Sequence, residues 1–265
     1  CFSPSYFRQQ VTSRASYTTR ALTNGRSLSA ALLARPPLPE QRAIAAALAD
    51  VDAALAGVLG VIAKKRDLKQ AAMQTLLTGQ TRLPGFSGDW EVKRLGEFIK
   101  FQVGCPFSSQ FFNKKAIGIR LVRNRDLKSD DDVVFYSGAY ASDFLVKDGD
   151  VLVSMDGEFV LAKWNSETAV LNQRVGKIVP RSNSSADFLF YYLAGPLKEI
   201  EDATSSTTVK HLSHSDVEDI SIPLPAATEQ TAIAAVLTDM DAEIAALTAQ
   251  ADKMRLLKQA MMQDL

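Results

Sequence analysis

Apolar residues recur at alternating spacings of four and three in two separate stretches of this chain. Ile44, Leu48, Val51, Leu55, Val58 and Ile62 form the first series; Ile233, Leu237, Met240, Ile244, Leu247, Ala251 and Met254 form the second. That spacing gathers the apolar side chains into one stripe and makes the a/d seam of a coiled coil, about three heptads long in each stretch. Pro39 suits a first helical turn, where a missing N–H costs nothing. Thr228, at the matching place in the second stretch, is the expected N-cap, and Gly79 is the expected stop of the first helix. At ~1.5 Å per residue, a helix of about 38 residues reaches roughly 57 Å.

The two stretches are copies of one another. A shift of 189 positions lays residues 40–76 on residues 229–265 with 20 of 37 pairs identical. The shared skeleton starts with EQ-x-AIAA and closes with LKQA-x-MQ-x-L. A lone amphipathic helix of this length leaves its apolar stripe in water, so each copy is the natural partner of the other. If both ends of the intervening segment lie together, the helices run antiparallel.

Between the copies the pattern changes. The stretch TRLPGFSGDW (residues 81–90) is rich in Gly and Pro and reads as a connector. Short branched and aromatic runs follow: IRLVR (119–123), VVFY (133–136), DVLVSM (150–155), FVLAKW (159–164) and AVLNQRVGKIVP (169–180). These read as strands. Residues 186–200 read as a helix with Phe188, Tyr191, Tyr192 and Leu193 facing a core. HLSHSDVEDI reads as a short helix capped by Ser213 or Ser215. The expected architecture is therefore α+β: one mixed α/β globule joined to a long antiparallel two-helix coiled coil. The segments are residues 1–35, a first long helix in 36–80, the globule in 81–222, and a second long helix in 223–265.

Composition narrows the function classes. The chain has 265 residues, 46% hydrophobic and 23% charged, with a formal net charge of zero, ordinary values for a folded domain. It has no run of 18 apolar residues, which argues against a membrane span, and no apolar h-region near its start. Cys1 and Cys105 are the only cysteines and form no CxxC, so a reducing, cytoplasmic setting is expected. Opening on Cys rather than Met suggests a fragment or a processed form. Charge is uneven: residues 1–38 hold five Arg and no acid, whereas residues 80–222 hold 17 basic and 20 acidic residues, a net of −3. Nucleic-acid contact would need a local patch.

The stretches PPLPEQRAIAAALADVDAAL and ISIPLPAATEQTAIAAVLTDMDAEIAAL resemble the two conserved regions of type I restriction–modification specificity (S) subunits. The globule is similar to one target recognition domain of that family, through VGCPF (103–107), IRLVRNRDL (119–127), KDGDVLVSM (147–155), LNQRVGKIVP (171–180) and SSTTVKHLSHSDVEDISIPLP (205–225). Such subunits carry two recognition domains, each reading half of a bipartite site in double-stranded DNA. Their long helices dock methyltransferase (M) subunits and, indirectly, the restriction (R) subunit. The resemblance implies a non-enzymatic specificity subunit reduced to one recognition domain, with no cofactor, no metal and no membrane partner, and with self-association through the helices as an option. It also implies that residues 1–35 are the degraded tail of a missing first domain, poorly ordered or opportunistically packed.

Candidate DNA contacts come from residue chemistry. Lys114, Lys115, Arg120, Arg123, Arg125 and Lys128 lie in a stretch opposed only by Asp126. Arg and Asn suit bidentate contacts to guanine and adenine, which singles out Arg123, Asn124 and Arg125; a solvated strand edge is the plain alternative. Strand alternation keeps Arg120 and Arg123 off one face. Lys163, Asn172, Gln173, Arg174 and Lys177 form a second group, whose plain alternative is polar residues on a half-exposed strand. Thr207, Thr208, Lys210 and His211 suit a phosphate, or simply a structural turn. His211 and His214 resemble half of a metal site that nothing in the sequence completes. EVK (91–93) and DDD (130–132) make no nuclease centre. KKRDLK (64–69) interrupts the seam at Lys65 and Lys69, as a solvated helix end or as a docking surface.

Overall fold

The computed structural model describes residues 5–13, 15–17, 21–22, 25–32, 35–181, 184–204 and 210–263. These fall into two compact units, residues 1–68 with 240–265, and residues 69–239.

The first unit begins with helix α1 (Ser5–Ser13), the antiparallel pair β1 (Ser16–Tyr17) and β2 (Ala21–Leu22), and helix α2 (Gly25–Ser29). Within this segment Gln10 donates to the Leu32 carbonyl at 3.0 Å and accepts from its N–H at 2.9 Å. The unit's main feature is a pair of long helices, α3 (Leu38–Leu76) and α7 (Ala227–Gln263), whose remaining turns belong to the second unit. Lys65 meets Glu243 at 2.7 Å and Lys258 meets Asp52 at 2.5 Å. Moving from Lys65 back to Asp52 on α3 thus corresponds to moving forward from Glu243 to Lys258 on α7, so the coiled coil is antiparallel.

Along these helices exposure is lower at the apolar series than at the positions between. Ile44, Leu48, Val51, Leu55 and Val58 are half-buried and Ile62 is buried; Met240, Ile244, Leu247 and Met254 are half-buried and Ala251 is buried. Of the two lysines that interrupt the heptads, Lys65 is accommodated by its ion pair with Glu243 across the seam, and Lys69 lies 5.2 Å from the centre of the Tyr191 ring. By length and composition, α3 is also apolar enough to cross a membrane, which corrects the expectation that no segment could. Asp50 and Asp52 lie inside its apolar stretch, and Asp52 is engaged by Lys258.

The second unit holds the mixed globule. Gly79, at φ +73°, terminates α3 in the left-handed conformation as expected. Strand β3 (Glu91–Arg94) follows, pairing with β13 (Ser221–Leu224). EVK (91–93) is therefore strand. After the short helix α4 (Leu95–Phe98) come β4 (Ile99–Val103), β5 (Phe112–Asn113), β6 (Ile119–Val122), β7 (Val134–Tyr136), β8 (Leu145–Val146), β9 (Val151–Ser154), β10 (Leu161–Lys163), β11 (Ala169–Leu171) and β12 (Val175–Pro180). They build a four-stranded antiparallel sheet ordered β10-β9-β12-β4 and a five-stranded mixed sheet ordered β5-β7-β6-β11-β8, in which β6 and β11 run parallel. Val122, Val146, Leu152, Trp164, Ala169, Leu171 and Val175 form a core cluster drawn from both sheets.

The run 169–180, read as one strand, is two. The Val175 N–H bonds back to the Asn172 carbonyl, and a turn separates β11 from β12. Helix α5 (Ala186–Ala203) is capped by Ser185, whose hydroxyl accepts from Phe188 N–H, and buries Phe188, Leu189, Tyr191, Leu193 and Leu197. Helix α6 (His214–Glu218) carries the capping box Ser213/Asp216. The α7 entrance departs from expectation: Thr228 lies within the first turn, and the Ala226 carbonyl accepts from Glu229 and Gln230. Ile233 and Leu237 are fully buried here, on the part of α7 where Gln230 accepts from Ser185 N–H at 2.9 Å and Thr238 meets the Tyr191 hydroxyl at 3.3 Å.

Candidate nucleic-acid interface

Segments far apart in sequence converge where β6, β9 and β11 end. The Asn172 N–H donates to the Val122 carbonyl at 3.0 Å, Gln173 N–H to Cys105 at 3.1 Å, Met155 N–H to Arg174 at 3.0 Å and Leu212 N–H to Met155 at 2.8 Å. Asp156 and His211 form an antiparallel bridge. Two glycines permit this crowding. Gly157 turns the β9–β10 hairpin at φ +77°, and a Cβ on Gly104 would sit 2.2 Å from the Asn172 carbonyl oxygen, so only glycine lets these backbones approach.

On this scaffold Asp156 is a hub. Its carboxylate accepts from His211 Nδ1 at 2.7 Å and from the Arg174 guanidinium, while its carbonyl accepts from Asn124 Nδ2 at 2.9 Å. Asn124 Oδ1 is buried and has no partner among the described residues. Burial pushes the Asp156 carboxyl up, but the hydrogen bonds and charges of His211 and Arg174 outweigh it and hold it below the usual carboxylate range. Beside it Lys128 pairs with Glu158, and that hydrogen bond and charge hold the Glu158 carboxyl low.

Asp132 is a second hub. Lys114 pairs with it directly, and Arg123 and Arg125 approach it at 3.6 Å. Its carboxyl is held low chiefly by the Lys114 hydrogen bond, against some burial, with the charges of Lys114, Arg123 and Arg125 adding to the effect. Arg123 is committed further: its Nε and a terminal nitrogen donate to Asp126 at 3.0 and 2.8 Å, and this pairing raises its own pKa despite burial.

The sequence candidates therefore separate. Arg120 is only 6% exposed; it donates to Ser166 at 3.0 Å, pairs with Asp130 and lies 4.6 Å from the centre of the Trp164 ring. That environment makes it part of the scaffold. Lys163 pairs with Asp187 at 2.6 Å in the first turn of α5, and Lys177 is held by the Leu145 carbonyl at 2.7 Å, so neither joins Gln173 and Arg174. Lys210 donates to the Glu201 carbonyl. Thr207 and Thr208 lie outside the described residues. His214 faces Glu218 at 3.3 Å, away from the His211 partner, and among the described residues no group of three His, Cys, Asp or Glu could hold a metal ion. Exposed and outward-facing are Lys114, Lys115, Arg125, Lys128, Gln173 and Arg174, with His211 beside them.

Sequence reasoning did not find the acidic hubs. The signal was the Asp-Gly pair between two strand-like runs in SMDGEF, a hairpin turn that would have placed Asp156 at a tip.

Three solved structures share this fold. One, from work on complex assembly and conformational transition of a type I R-M system, matches with a TM-score of 0.64 at 23% identity over 97% of this chain and 67% of its own. The HsdS subunit from Thermoanaerobacter tengcongensis matches at 0.54 and 23% identity over 97% and 66%. A type I S subunit from M. genitalium matches at 0.60 and 15% over 94% and 67%. Among curated proteins, the EcoBI specificity subunit of Escherichia coli is 39% identical over 142 residues, 53% of this chain and 30% of that one. The MjaVIII specificity subunit of Methanocaldococcus jannaschii is 26% identical over 179 residues, 67% of this chain and 42% of that one. This chain thus spans well under two thirds of those relatives. They are named as specificity subunits, in keeping with the expectation of a non-enzymatic chain. The family model for the type I restriction modification DNA specificity domain matches residues 87–253, more than half of the chain, and the chain belongs to that family.

Proposed function

We propose that the globule reads one half of a bipartite DNA site, and that the long helices dock methyltransferase subunits and set the spacing to a second half-site. The observation that carries the reading is the gathering of Arg125, Lys128, Gln173, Arg174 and His211 from separate segments onto turns at one end of the sheets. A rigid scaffold bearing Arg and Gln at turn tips suits base-edge contact, and the lysines around them suit phosphate. Lys114 and Lys115 extend the basic margin.

The helices support the docking part. LKQA-x-MQ turns its lysine toward the seam in copy two, where Lys258 meets Asp52, and its leucine outward in both copies. Leu68 and Leu257 are 48% and 56% exposed, and Leu59, Val61, Leu256 and Met262 are exposed as well. Exposed apolar side chains of this kind suit partner helices. Self-association through the same helices would present two recognition globules to a palindromic site.

The test is selection of bound duplexes from a randomised pool by the full chain, alone and with its methyltransferase partner. Enrichment of a defined motif is expected, and its absence in both arms overturns the reading. A second reading, a helix-only interaction protein that no longer reads DNA, is favoured by one observation: most of the exposed cations already hold carboxylates. Under it, Arg125→Glu and Arg174→Glu leave both DNA retention and methyltransferase binding unchanged.

A further inference from the structure

Most acid–base pairs of the globule share solvent between their partners. The Asp156 cluster does not. Its acid side chain is 13% exposed, beneath two bases, Arg174 and His211, that are 62% exposed each. The acid is fixed by backbone on both sides. It sits in a bridge with His211, the Asn124 side chain holds its carbonyl, and the neighbouring Gly157 N–H donates to Lys210 at 3.0 Å. Asp132 and Glu158 lack this arrangement, being more exposed and having long, mobile lysines among their partners.

A buried carboxylate under exposed cations has two consequences for a polyanion. It cancels much of the charge that phosphates attract, and charge is what supplies non-specific DNA affinity. It also holds the guanidinium and imidazole in one orientation, which bidentate base contact requires. Resting on the DNA-reading function above, we infer that Asp156 is a specificity-setting positioning residue. It aims Arg174 and His211 at the duplex and suppresses their attraction for unmatched phosphate. Specificity then gains from a repulsive element as well as from attractive ones.

The experiment measures binding of the full chain to its selected motif and to a scrambled duplex across a salt series. For Asp156→Asn, scrambled-duplex affinity rises about tenfold, the salt slope steepens by about one to two, and the ratio of specific to non-specific affinity falls by about tenfold. Asp156→Glu, which keeps the charge, retains the wild-type slope. Loss of both affinities in parallel points to a purely structural residue and overturns the inference, as does no change in either. Arg174→Gln serves where the first variant fails to fold. It lowers affinity for the motif and leaves the scrambled duplex nearly unaffected, because that charge is already cancelled; an equal loss on both duplexes overturns the inference. A wild-type chain that selects no motif sinks the DNA-reading function itself, whereas a selective wild type with an unchanged ratio in Asp156→Asn sinks this inference alone.

Discussion

Arg82 grips Glu229 through two hydrogen bonds of 2.6 Å, Nε to Oε1 and a terminal nitrogen to Oε2, across 147 positions of sequence. Trp90 adds a third at 3.1 Å, and the Arg82 guanidinium lies 5.4 Å from the centre of its ring. Glu229 is 2% exposed. The connector after α3 is thereby clasped to the first turn of α7. Glu229→Ala strands three donors, costs about 2 kcal/mol and lowers Tm by roughly 4–8 °C for a domain of this size. Thermal melting checks it. Glu40, the same position in the first copy, is exposed, and Glu40→Ala leaves Tm nearly unchanged.

Gly57 and Gly60 lie inside α3, and a Cβ added at either would meet nothing within 4 Å; both are exposed at ordinary helical φ. The second copy has Ala246 and Ala249 at these positions. Glycine in an exposed helix interior costs about 1 kcal/mol relative to alanine. Gly57→Ala and Gly60→Ala each raise stability by about that amount, and the double variant by about twice it, because no neighbour is crowded. Chemical denaturation monitored by circular dichroism measures the gain; a loss would mean that a partner helix sits against these glycines in solution.

Charge reversals separate scaffold from surface. Arg125 is 70% exposed and 3.6 Å from Asp132, whereas Lys163 faces Asp187 of α5. Arg125→Glu weakens binding to the selected motif more than to a scrambled duplex, by about 1–3 kcal/mol, and relaxes specificity at the base it reads. Lys163→Glu leaves DNA binding unchanged and lowers stability slightly through repulsion from Asp187. Filter binding at several salt concentrations, paired with melting curves, distinguishes the two.

The coiled coil was legible because helical period alone selects its seam: Ile44, Leu48, Val51, Leu55 and Val58 are half-buried while Asp50, Asp52 and Gly57 between them are exposed. Strand positions such as Ile119–Val122 and Val151–Ser154 were legible from their branched runs. The turn at residues 172–174 was not, because apolar runs flank it and what breaks the strand is long-range: Asn172 N–H reaching Val122 and Gln173 N–H reaching Cys105. The fate of the basic residues was equally hidden. Arg120 lies on the expected strand, yet its burial depends on Trp164 and Ser166, more than forty positions away. Local charge counts cannot show which cations a distant carboxylate has claimed.

Acid sensitivity follows from those claimed carboxylates. Asp156, Asp132 and Glu158 are all held below their ordinary pKa. A group lowered on folding contributes stability above its unfolded pKa, about 3.9 for Asp and 4.3 for Glu, and loses it as pH falls through the folded value. Tyr192 runs the other way, raised first by burial and then by the charge of Glu199; its contribution is present below its unfolded value of about 10 and is lost as pH rises through the folded one. Tm is therefore expected to be flat from about pH 5 to 9 and to fall below about pH 4. Asp156→Asn lowers Tm by a few degrees at neutral pH and makes the acid limb shallower, since one of the groups that drives it has gone. Melting curves from pH 3 to 7 on both proteins give the comparison, and acid limbs of equal slope would show that Asp156 holds no preference for its charged form in the folded chain.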